Sequence, residues 1–478
     1  MSSSRIAKIK RNAISLFAGD LFTKASTFCV YAMVGRYAGT SGFGQIALGL
    51  FLLYLFNVFA AGGLPVLVTR LVAKNPERSN HYLYNGYLAA IITSAASTLV
   101  MLVLARVMGY APTTVTVISI LAMAIAPYAM TMIAEAVIRG REEMRLVAIA
   151  NIPGNVFMII ASAYVLLNDY GIVTLAVVIA SARFVTFAAA NVLIYLSSKK
   201  QNVPSTKLQI SVAWSLLKRS MVFLGSDGIN ALWHAMDGLI LSWYASESQI
   251  GLLQSSFQLL QPALMVYRSI GHSSFPALVD AARVGPGKIA EISGSLIGYM
   301  LRLSLPAAVA MFVLAEDVLV TVYSDEGFRA GGIVLKILSV TLVLDLISPV
   351  FGHGLYAVSK EKTVLRIVIC NLIVSCLAAL ILISQFGLVG AAFSVLTSTV
   401  VNVFQHNWYF QRQVVRLPLW REALKVLPAA LILIACVALL PTHRFVSLGI
   451  GIGIYFVITF PQLRSPFWKS PQPNAAVS

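Results

Sequence analysis

The stretch NAISLFAGDLFTKASTFCVYAMVGRYAGTSGFG (residues 12–44) decides the fold, because RSMVFLGSDGINALWHAMDGLILSWYASESQIG (residues 219–251) repeats its plan 207 residues later. Asp20 in the first stretch corresponds to Asp227 in the second. A carboxylate at the centre of a membrane-spanning helix costs about 2.5 to 3.5 kcal/mol. A costly charge that recurs in register indicates a duplicated membrane protein, and internal repeats of this kind are typical of transporters.

The composition is that of a membrane protein. Hydrophobic residues make up 58% of the 478 residues and charged residues 11%, whereas soluble domains average about 25% charged residues. Apolar stretches long enough to cross about 30 Å of hydrocarbon recur along the chain. The sequence therefore predicts an all-α polytopic membrane protein with about fourteen transmembrane helices, here called spans 1 to 14. Their predicted extents are 12–37, 44–72, 83–107, 113–138, 145–168, 171–196, 212–243, 250–276, 289–315, 331–357, 363–385, 387–411, 423–440 and 445–461.

Basic residues are concentrated on one side of this topology. Of the 35 Lys and Arg residues, 26 fall in the termini, alternate loops and adjoining helix ends of one side, and five fall on the other. The positive-inside rule places the basic side, with both termini, in the cytoplasm. The net charge of +17 is then explained by topology, which argues against a nucleic-acid partner. Basic loops also favour contact with the headgroups of membrane lipids.

The repeat predicts two six-helix lobes. The motif Y-A-x-x-S-x-x-G of residues 37–44 recurs in residues 244–251, and spans 6 and 12 open on similar motifs. Because six is an even number, both lobes enter the membrane from the same side and are related by a pseudo-two-fold axis along the membrane normal. The predicted domains are an N-terminal lobe at 1–196, a cytoplasmic linker at 197–211, a C-terminal lobe at 212–411, and two extra helices with a cytoplasmic tail at 412–478.

Polar side chains follow one face of several spans at helical spacing. The set comprises Asp20, Lys24, Thr27 and Tyr31 in span 1, Asp227, Asn230, His234 and Asp237 in span 7, and Gln254, Gln258, Gln261 and Arg268 in span 8. Contact with lipid is costly for such residues, so we expect them to face a neighbouring helix or a water-filled passage. Mutual neutralisation is the alternative explanation for Asp20 and Lys24, which are four residues apart.

Four cations fall within predicted spans. They are Lys24, Arg183, Arg268 and Arg302. Two explanations remain open, because a buried cation needs an anion. One is structural ion pairing with the intramembrane acids Asp20, Glu135, Asp227, Asp237 and Asp345. The other is a solvated basic cavity that binds an anionic substrate, since the planar fork of a guanidinium suits phosphate oxygens.

The sequence carries no motif for covalent chemistry. Its four cysteines (Cys29, Cys370, Cys376 and Cys436) fall in spans and lack metal-ligand spacing. There is neither a phosphate-binding loop motif nor the large catalytic loop or acidic metal-binding motif that a membrane glycosyltransferase or ligase would need. We therefore expect a protein that is not an enzyme, with no catalytic residue, no metal site and no cofactor.

Several short motifs add a family resemblance. A polar first helix leads to GRYAGTSGFG (35–44), TRLVA (69–73), SDEGF (324–328) and SKEK (359–362), and the pattern extends over residues 10–411. This pattern resembles the polysaccharide-type flippases of the multidrug/oligosaccharidyl-lipid/polysaccharide exporter superfamily. The resemblance implies two six-helix lobes around a central cavity that opens alternately to each side of a bacterial inner membrane. Spans 13 and 14 resemble the extra pair of lipid II flippases, which favours a lipid-linked substrate.

The resemblance also implies a function and a site. The implied function is translocation of an undecaprenyl-diphosphate-linked oligosaccharide from the cytoplasmic to the outer leaflet, for cell-surface polysaccharide such as O-antigen or exopolysaccharide. The cations Lys24, Arg183, Arg268 and Arg302 are then expected to contact the diphosphate or acidic sugars. The residues expected to line the cavity, or to couple transport to a proton or sodium ion, are Asp20, Asp227, Asn230, His234, Asp237, Gln258, Gln261 and Asp345.

The implied partners are the lipid-linked oligosaccharide, membrane lipids, a polysaccharide polymerase and its chain-length machinery. Two alternatives stay open within this class, a lipid II flippase and a cation-coupled multidrug exporter. The intramembrane Arg and Lys residues disfavour the exporter, because a cavity for cationic drugs is better lined by acidic and aromatic side chains.

Overall fold

The computed structural model describes residues 3–200, 207–439 and 444–463, without some side chains inside these ranges, such as that of Arg268. The described ranges form fifteen α-helices, 3₁₀ turns at Pro76–Arg78 and Glu326–Gly331, and no strand. The helices are α1 (Ser3–Ala61), α2 (Leu64–Lys74), α3 (Ser79–Val107), α4 (Pro112–Ala122), α5 (Ile125–Gly140), α6 (Met144–Leu167), α7 (Gly171–Lys200), α8 (Ile210–Tyr244), α9 (Glu247–Val284), α10 (Pro286–Val313), α11 (Ala315–Tyr323), α12 (Gly332–Ala357), α13 (Glu361–Gln413), α14 (Leu419–Leu439) and α15 (Arg444–Leu463). Residues 201–206 of the predicted linker and 464–478 of the predicted tail lie outside the described residues.

The all-α membrane fold is confirmed, and every predicted span overlaps a helix. Spans 1 and 2 both lie in α1, which is kinked at Gly39 (φ 63°, ψ −170°), and spans 11 and 12 both lie in α13, which is kinked at Gly387 (φ 54°, ψ −126°). Glycine adopts positive φ without the steric penalty of a Cβ, so it permits the chain to reverse between two spans. Eight helical stretches of the described chain are long and apolar enough to cross a membrane, with α1 and α13 each counted once.

Spans 2 and 4 are broken helices, although their apolar patterns predict continuous ones. In span 2, Gly62 and Gly63 take positive φ values of 58° and 70°, and Pro65 lies in the first turn of α2. Proline suits that position because the N–H it lacks has no partner there. In span 4, the N–H groups of Met123 and Ala124 bond to carbonyls three residues earlier, and this tight turn separates α4 from α5. Apolar residues indicate which positions are shielded from water, and a break in the helix does not change that shielding. The apolar pattern therefore does not reveal these breaks.

Contacts divide the chain into two compact units. Unit 1 contains the chain up to Ser255 together with Val322–Gly327, and unit 2 contains Ser256–Thr321 and the chain from Phe328 onward. In unit 1, α1 packs against α6, and α6 against α7. In unit 2, α12 packs against α10 and α13, and α14 packs against α15. The predicted lobes at 1–196 and 212–411 rest on sequence correspondence and stay a prediction.

A polar clamp holds one end of unit 1. The guanidinium of Arg141 donates to the hydroxyls of Ser79 at 2.6 Å, Ser198 at 2.8 Å and Ser197 at 3.3 Å. Partial burial lowers the pKa of Arg141, and the nearby carboxylate of Glu143 opposes that shift. The clamp joins the start of α3, the α5–α6 connection and the end of α7. The charge pattern predicts that all three segments lie on the cytoplasmic side.

Candidate functional site

Arg183 in α7 lies between two tyrosine rings inside unit 1. Its guanidinium donates to the Tyr54 hydroxyl at 3.1 Å and lies 4.6 Å from the centroid of the Tyr128 ring and 5.8 Å from that of Tyr54. The two rings meet edge to face, with their centroids 6.0 Å apart. A cation over an aromatic face is attracted by the ring quadrupole, and the attraction reaches about 2 kcal/mol when both groups are shielded from water. The tyrosines therefore stabilise a charge that is otherwise costly to bury.

This guanidinium also lines a small cavity. The cavity walls are Thr27, Val30, Tyr31, Ile46, Leu50, Tyr54, Met158, Ile179 and Arg183. The Nε atom of Arg183 is buried without a hydrogen-bond partner. Within the described residues no carboxylate forms an ion pair with Arg183, and its guanidinium contacts Tyr54 and Tyr128 instead. Arg183 thus retains a buried donor and an uncompensated positive charge, both suited to an anion.

Glu135 of α5 is an acidic residue of the same unit, and its carboxylate already has hydrogen-bond partners. Its carboxylate accepts from Arg139 one turn along the helix at 2.6 Å and from the Asn151 amide at 2.8 Å. Asp20 lies within electrostatic range of the same carboxylate. A second polar contact nearby joins the Asn155 amide to the Thr23 hydroxyl at 2.9 Å. These bonds connect α1, α5 and α6 through polar groups in the interior of unit 1.

Several predicted cavity residues are exposed on unit 1. Asp20 and Lys24 on α1 are exposed, as are Asp227 and His234 on α8. Although they are one turn apart, the described side chains of Asp20 and Lys24 form no ion pair with each other, so mutual neutralisation does not explain them. Exposed charge inside a span faces either lipid, at a cost of about 2.5 to 3.5 kcal/mol, or water. Their exposure therefore favours an aqueous surface along α1 and α8.

The remaining predicted residues have mixed surroundings. Asp237 is buried and Asn230 half-buried on α8, and the His234 ring stacks on Trp233 with centroids 4.6 Å apart. In unit 2, Gln258, Gln261 and Asp345 are half-buried, and the side chain of Arg268 lies outside the described residues. The described part of the chain contains no group of three His, Cys, Asp or Glu side chains that could hold a metal ion.

Arg302 has a different environment from Arg183. It is 6% exposed in α10, and its guanidinium lies 3.8 Å from the carboxylate of Glu422 in α14. Glu422 also pairs with Lys425 one turn further along α14. A buried ion pair of this kind is strongly destabilised when one partner is removed. Of the two explanations that the sequence left open, structural ion pairing is the one that this geometry supports for Arg302.

A buried polar network lies between α12 and α13 of unit 2. The Asn371 amide donates to the side-chain oxygen of Asn402 at 2.7 Å, and the Asn402 amide donates to the Ser348 hydroxyl at 3.0 Å. The His406 ring lies 3.5 Å from the same hydroxyl. Asn371 follows Asn155 at an offset of 216 residues, the offset between the motifs YGIV (170–173) and FGLV (386–389) that open spans 6 and 12, so the predicted repeat pairs them. Both amides bond inside their own units. The counterpart positions therefore keep a polar role within each half of the chain.

The sequence pattern does not identify the partners of the two arginines. Tyr54 and Tyr128 lie in apolar spans, where an aromatic residue signals helix packing, and Glu422 lies beyond the repeat. The available signal was an aromatic residue within a span for Tyr54 and Tyr128, and a carboxylate just before span 13 for Glu422. Nothing in their spacing connects them to Arg183 or Arg302, because the contacts join helices that are distant in sequence.

The chain is similar to known proteins in sequence and in fold. The family profile described as "Polysaccharide biosynthesis protein" matches residues 9–282. The probable low-salt glycan biosynthesis flippase Agl15 of Haloferax volcanii is 22% identical over 404 residues, 84% of this chain and 83% of that protein. The lipid II flippase MurJ, solved in an inward closed conformation, superposes with a TM-score of 0.78 at 14% identity, covering 93% of this chain and 98% of the other. An inward-facing multidrug resistance transporter of the MATE family has a TM-score of 0.69 at 14% identity, covering 82% and 94%.

Proposed function

The chain belongs to the polysaccharide biosynthesis protein family, and on that premise we propose that it is a flippase for a lipid-linked oligosaccharide. The substrate is an undecaprenyl-diphosphate-linked oligosaccharide, which moves from the cytoplasmic to the outer leaflet of a bacterial inner membrane by alternating access. A relative named as a glycan biosynthesis flippase supports this choice. The protein forms and breaks no covalent bond. The translocated oligosaccharide is used to synthesise cell-surface polysaccharide, such as O-antigen or exopolysaccharide.

The observation that carries the proposal is the environment of Arg183. The half-buried Arg183, with a buried and unpartnered Nε, aromatic neighbours and no paired carboxylate, is arranged to receive an anion. The diphosphate of the substrate presents oxygens that accept charge-assisted hydrogen bonds from such a fork. A cationic drug would instead meet electrostatic repulsion at this position.

Roles for the other predicted residues follow from their surroundings. Lys24, which is exposed inside a span, is a further contact for the diphosphate or acidic sugars. Arg268 is a candidate for the same role on sequence grounds alone. Arg302 anchors α14 through Glu422. The exposed Asp20 and Asp227 are the candidates for coupling to a proton or sodium ion.

The cellular setting completes the proposal. Both termini lie in the cytoplasm, because the basic loops on their side obey the positive-inside rule. The partners beyond the substrate are membrane lipids and, on the outer side, a polymerase with its chain-length machinery. The protein acts without a cofactor apart from the coupling ion.

A lipid II flippase is the second candidate. The lipid II flippase structure covers 93% of this chain, whereas the multidrug transporter covers 82%. This favours a lipid-linked substrate over a drug. Which sugar the lipid carries is determined by the experiment below.

Reconstitution tests the proposal directly. Proteoliposomes would carry, in parallel, a labelled undecaprenyl-diphosphate oligosaccharide, labelled lipid II or ethidium, and a membrane-impermeant probe would report transfer between leaflets or efflux. We expect protein-dependent transfer of the lipid-linked oligosaccharide. Transfer of lipid II alone would select the second candidate. Ethidium efflux with no transfer of either lipid would refute the proposal.

A further inference from the structure

The two copies of the repeated motif contact each other. The Ser248 hydroxyl donates to the Thr40 hydroxyl at 2.8 Å. Gly44 and Gly251 approach so closely that a Cβ on Gly44 would strike the carbonyl of Glu247, and a Cβ on Gly251 would strike the carbonyl of Thr40. Both glycines are therefore required for backbone contact. The motif that reveals the duplication in the sequence thus forms an interface between its own two copies inside unit 1.

The carboxylate of Glu247 holds this interface together. It accepts from the Gln45 amide at 2.8 Å, from the Ser41 hydroxyl at 3.3 Å and from the Thr114 hydroxyl. The donors come from α1 and α4, whereas Glu247 is the first residue of α9. The set Thr40, Ser41, Gln45, Thr114, Glu247 and Ser248 is called the outer clasp below. All its donors are uncharged, so water can replace each bond when the segments separate.

A strap at Val322–Gly327 packs against the first copy of the motif. The ring of Tyr323 is fully buried, contacts the ring of Phe43 with centroids 5.2 Å apart, and leaves no room for a side chain at Gly35. Its hydroxyl donates to the carbonyl of Ser255 at 3.1 Å, and the Nε of Arg36 donates to the carbonyl of Val322 at 3.0 Å. The chain passes from unit 2 into unit 1 at Val322 and leaves it after Gly327.

These segments all belong to the same predicted side of the membrane. The connections near residues 36–45, 110–114, 242–251 and 322–327 are the ones that the charge pattern places opposite the basic loops. A further bond on this side joins the hydroxyls of Tyr110 and Ser242 at 2.7 Å. In an alternating-access cycle, helices that are joined on this side would have to separate when a substrate leaves toward the outer leaflet.

We propose that the outer clasp and the Tyr323 strap form the extracytoplasmic gate, which must open for substrate to leave, with Glu247 as its latch. The inference rests on the proposed function for the direction of transport. It assigns to the repeated motif a role that the family resemblance leaves unstated. Closure depends on one carboxylate present in the second copy only, since Thr40 occupies the corresponding position in the first.

The experiment uses a reversible lock. Thr40→Cys and Ser248→Cys are introduced after the native cysteines are replaced by Ser, and the protein is oxidised in membranes. The 2.8 Å between the native hydroxyls places the two sulfurs within reach of a disulfide. We expect efficient crosslinking, loss of lipid-linked oligosaccharide transfer, and recovery of transfer on reduction. Full transfer by the crosslinked protein would overturn the gate.

A second measurement needs no substrate. Adding Glu247→Ala to the cysteine pair should lower the yield of crosslink about tenfold, because hydrogen bonds to a charged acceptor are lost. Glu77→Ala, which removes an exposed carboxylate at the predicted cytoplasmic side, is the matched control and should leave the yield unchanged. An equal yield with and without Glu247 would refute its role as the latch.

A glycine variant tests the gate independently of the crosslink, in case the crosslink does not form. Gly251→Ala should raise the labelling of a cysteine at position 41 by an impermeant maleimide, because the new Cβ keeps the two copies apart. Unchanged labelling would count against the gate. If the reduced protein moves no lipid-linked oligosaccharide while both substrate-free readouts change as expected, the proposed substrate is wrong and the gate stands.

Discussion

The substitution Arg183→Met tests whether Arg183 binds the substrate or stabilises the fold. Methionine fills a similar volume without charge, so the tyrosine cage keeps its packing. The change removes the hydrogen bond to Tyr54 and the contact with the Tyr128 ring 4.6 Å away. It also removes the cost of burying a guanidinium. We expect a large effect on transport and a small effect on folding.

The magnitudes follow from these contacts. Each cation–π contact contributes up to about 2 kcal/mol in a desolvated site, and the hydrogen bond about 1.5 kcal/mol or more. The desolvation penalty of a buried ion is several kcal/mol, so the opposing terms nearly cancel and the free energy of unfolding should change by less than about 2 kcal/mol. Loss of one charge-assisted bond to a diphosphate, about 1.5 to 3 kcal/mol, should reduce transport at low substrate about 10- to 150-fold.

The assay compares initial rates of lipid-linked oligosaccharide transfer in proteoliposomes with thermal unfolding in detergent. Arg183→Lys retains the charge without the planar fork and should give an intermediate rate. Arg106→Met, which removes an exposed arginine at the end of α3, is the matched control and should behave as the unaltered protein. Unaltered transport by Arg183→Met together with a loss of more than about 3 kcal/mol in stability would show that Arg183 is structural.

Three further experiments test the packing of the units. Arg141→Met should lower the free energy of unfolding by about 2 kcal/mol, because three serine hydroxyls lose a charged partner; an unchanged melting temperature would contradict the clamp. Gly154→Ala should cost about 1 to 3 kcal/mol, because a Cβ there would strike Thr186, whereas Gly225→Ala meets open space and should be neutral or slightly stabilising in the same melts. A double-mutant cycle of Arg302→Met and Glu422→Gln should give a coupling energy of about 1 to 3 kcal/mol, and strict additivity would mean that the 3.8 Å pair does not join α10 to α14.

Much of the architecture could be predicted from local information. Hydrophobic runs identify membrane spans because each run must cover the same hydrocarbon thickness. The repeated motif identified the chain segments that meet in the outer clasp without showing that they meet. The breaks in spans 2 and 4 escaped prediction because an apolar residue is equally compatible with a helix and with a buried turn inside protein.

The site could be predicted only in part. The sequence predicted Lys24, Arg183 and Arg302 alike as cations within spans. The structure distinguishes them, since Lys24 is exposed, Arg183 contacts two tyrosine rings and Arg302 is paired with Glu422. Helical spacing predicts which face of a helix a residue occupies, but the neighbour on that face is chosen by the packing of distant helices.

The sequence by itself determined the fold class, the approximate spans and the duplication that Asp20 and Asp227 reveal, and its charge pattern predicts the sidedness. These properties depend on composition and on periodicity along one chain segment. Tertiary structure decided which charges are compensated, which helices break, and that Gly44 meets Gly251. The physical reason is that electrostatic compensation and close backbone contact depend on distances between helices, and those distances are set only when the whole interior is packed.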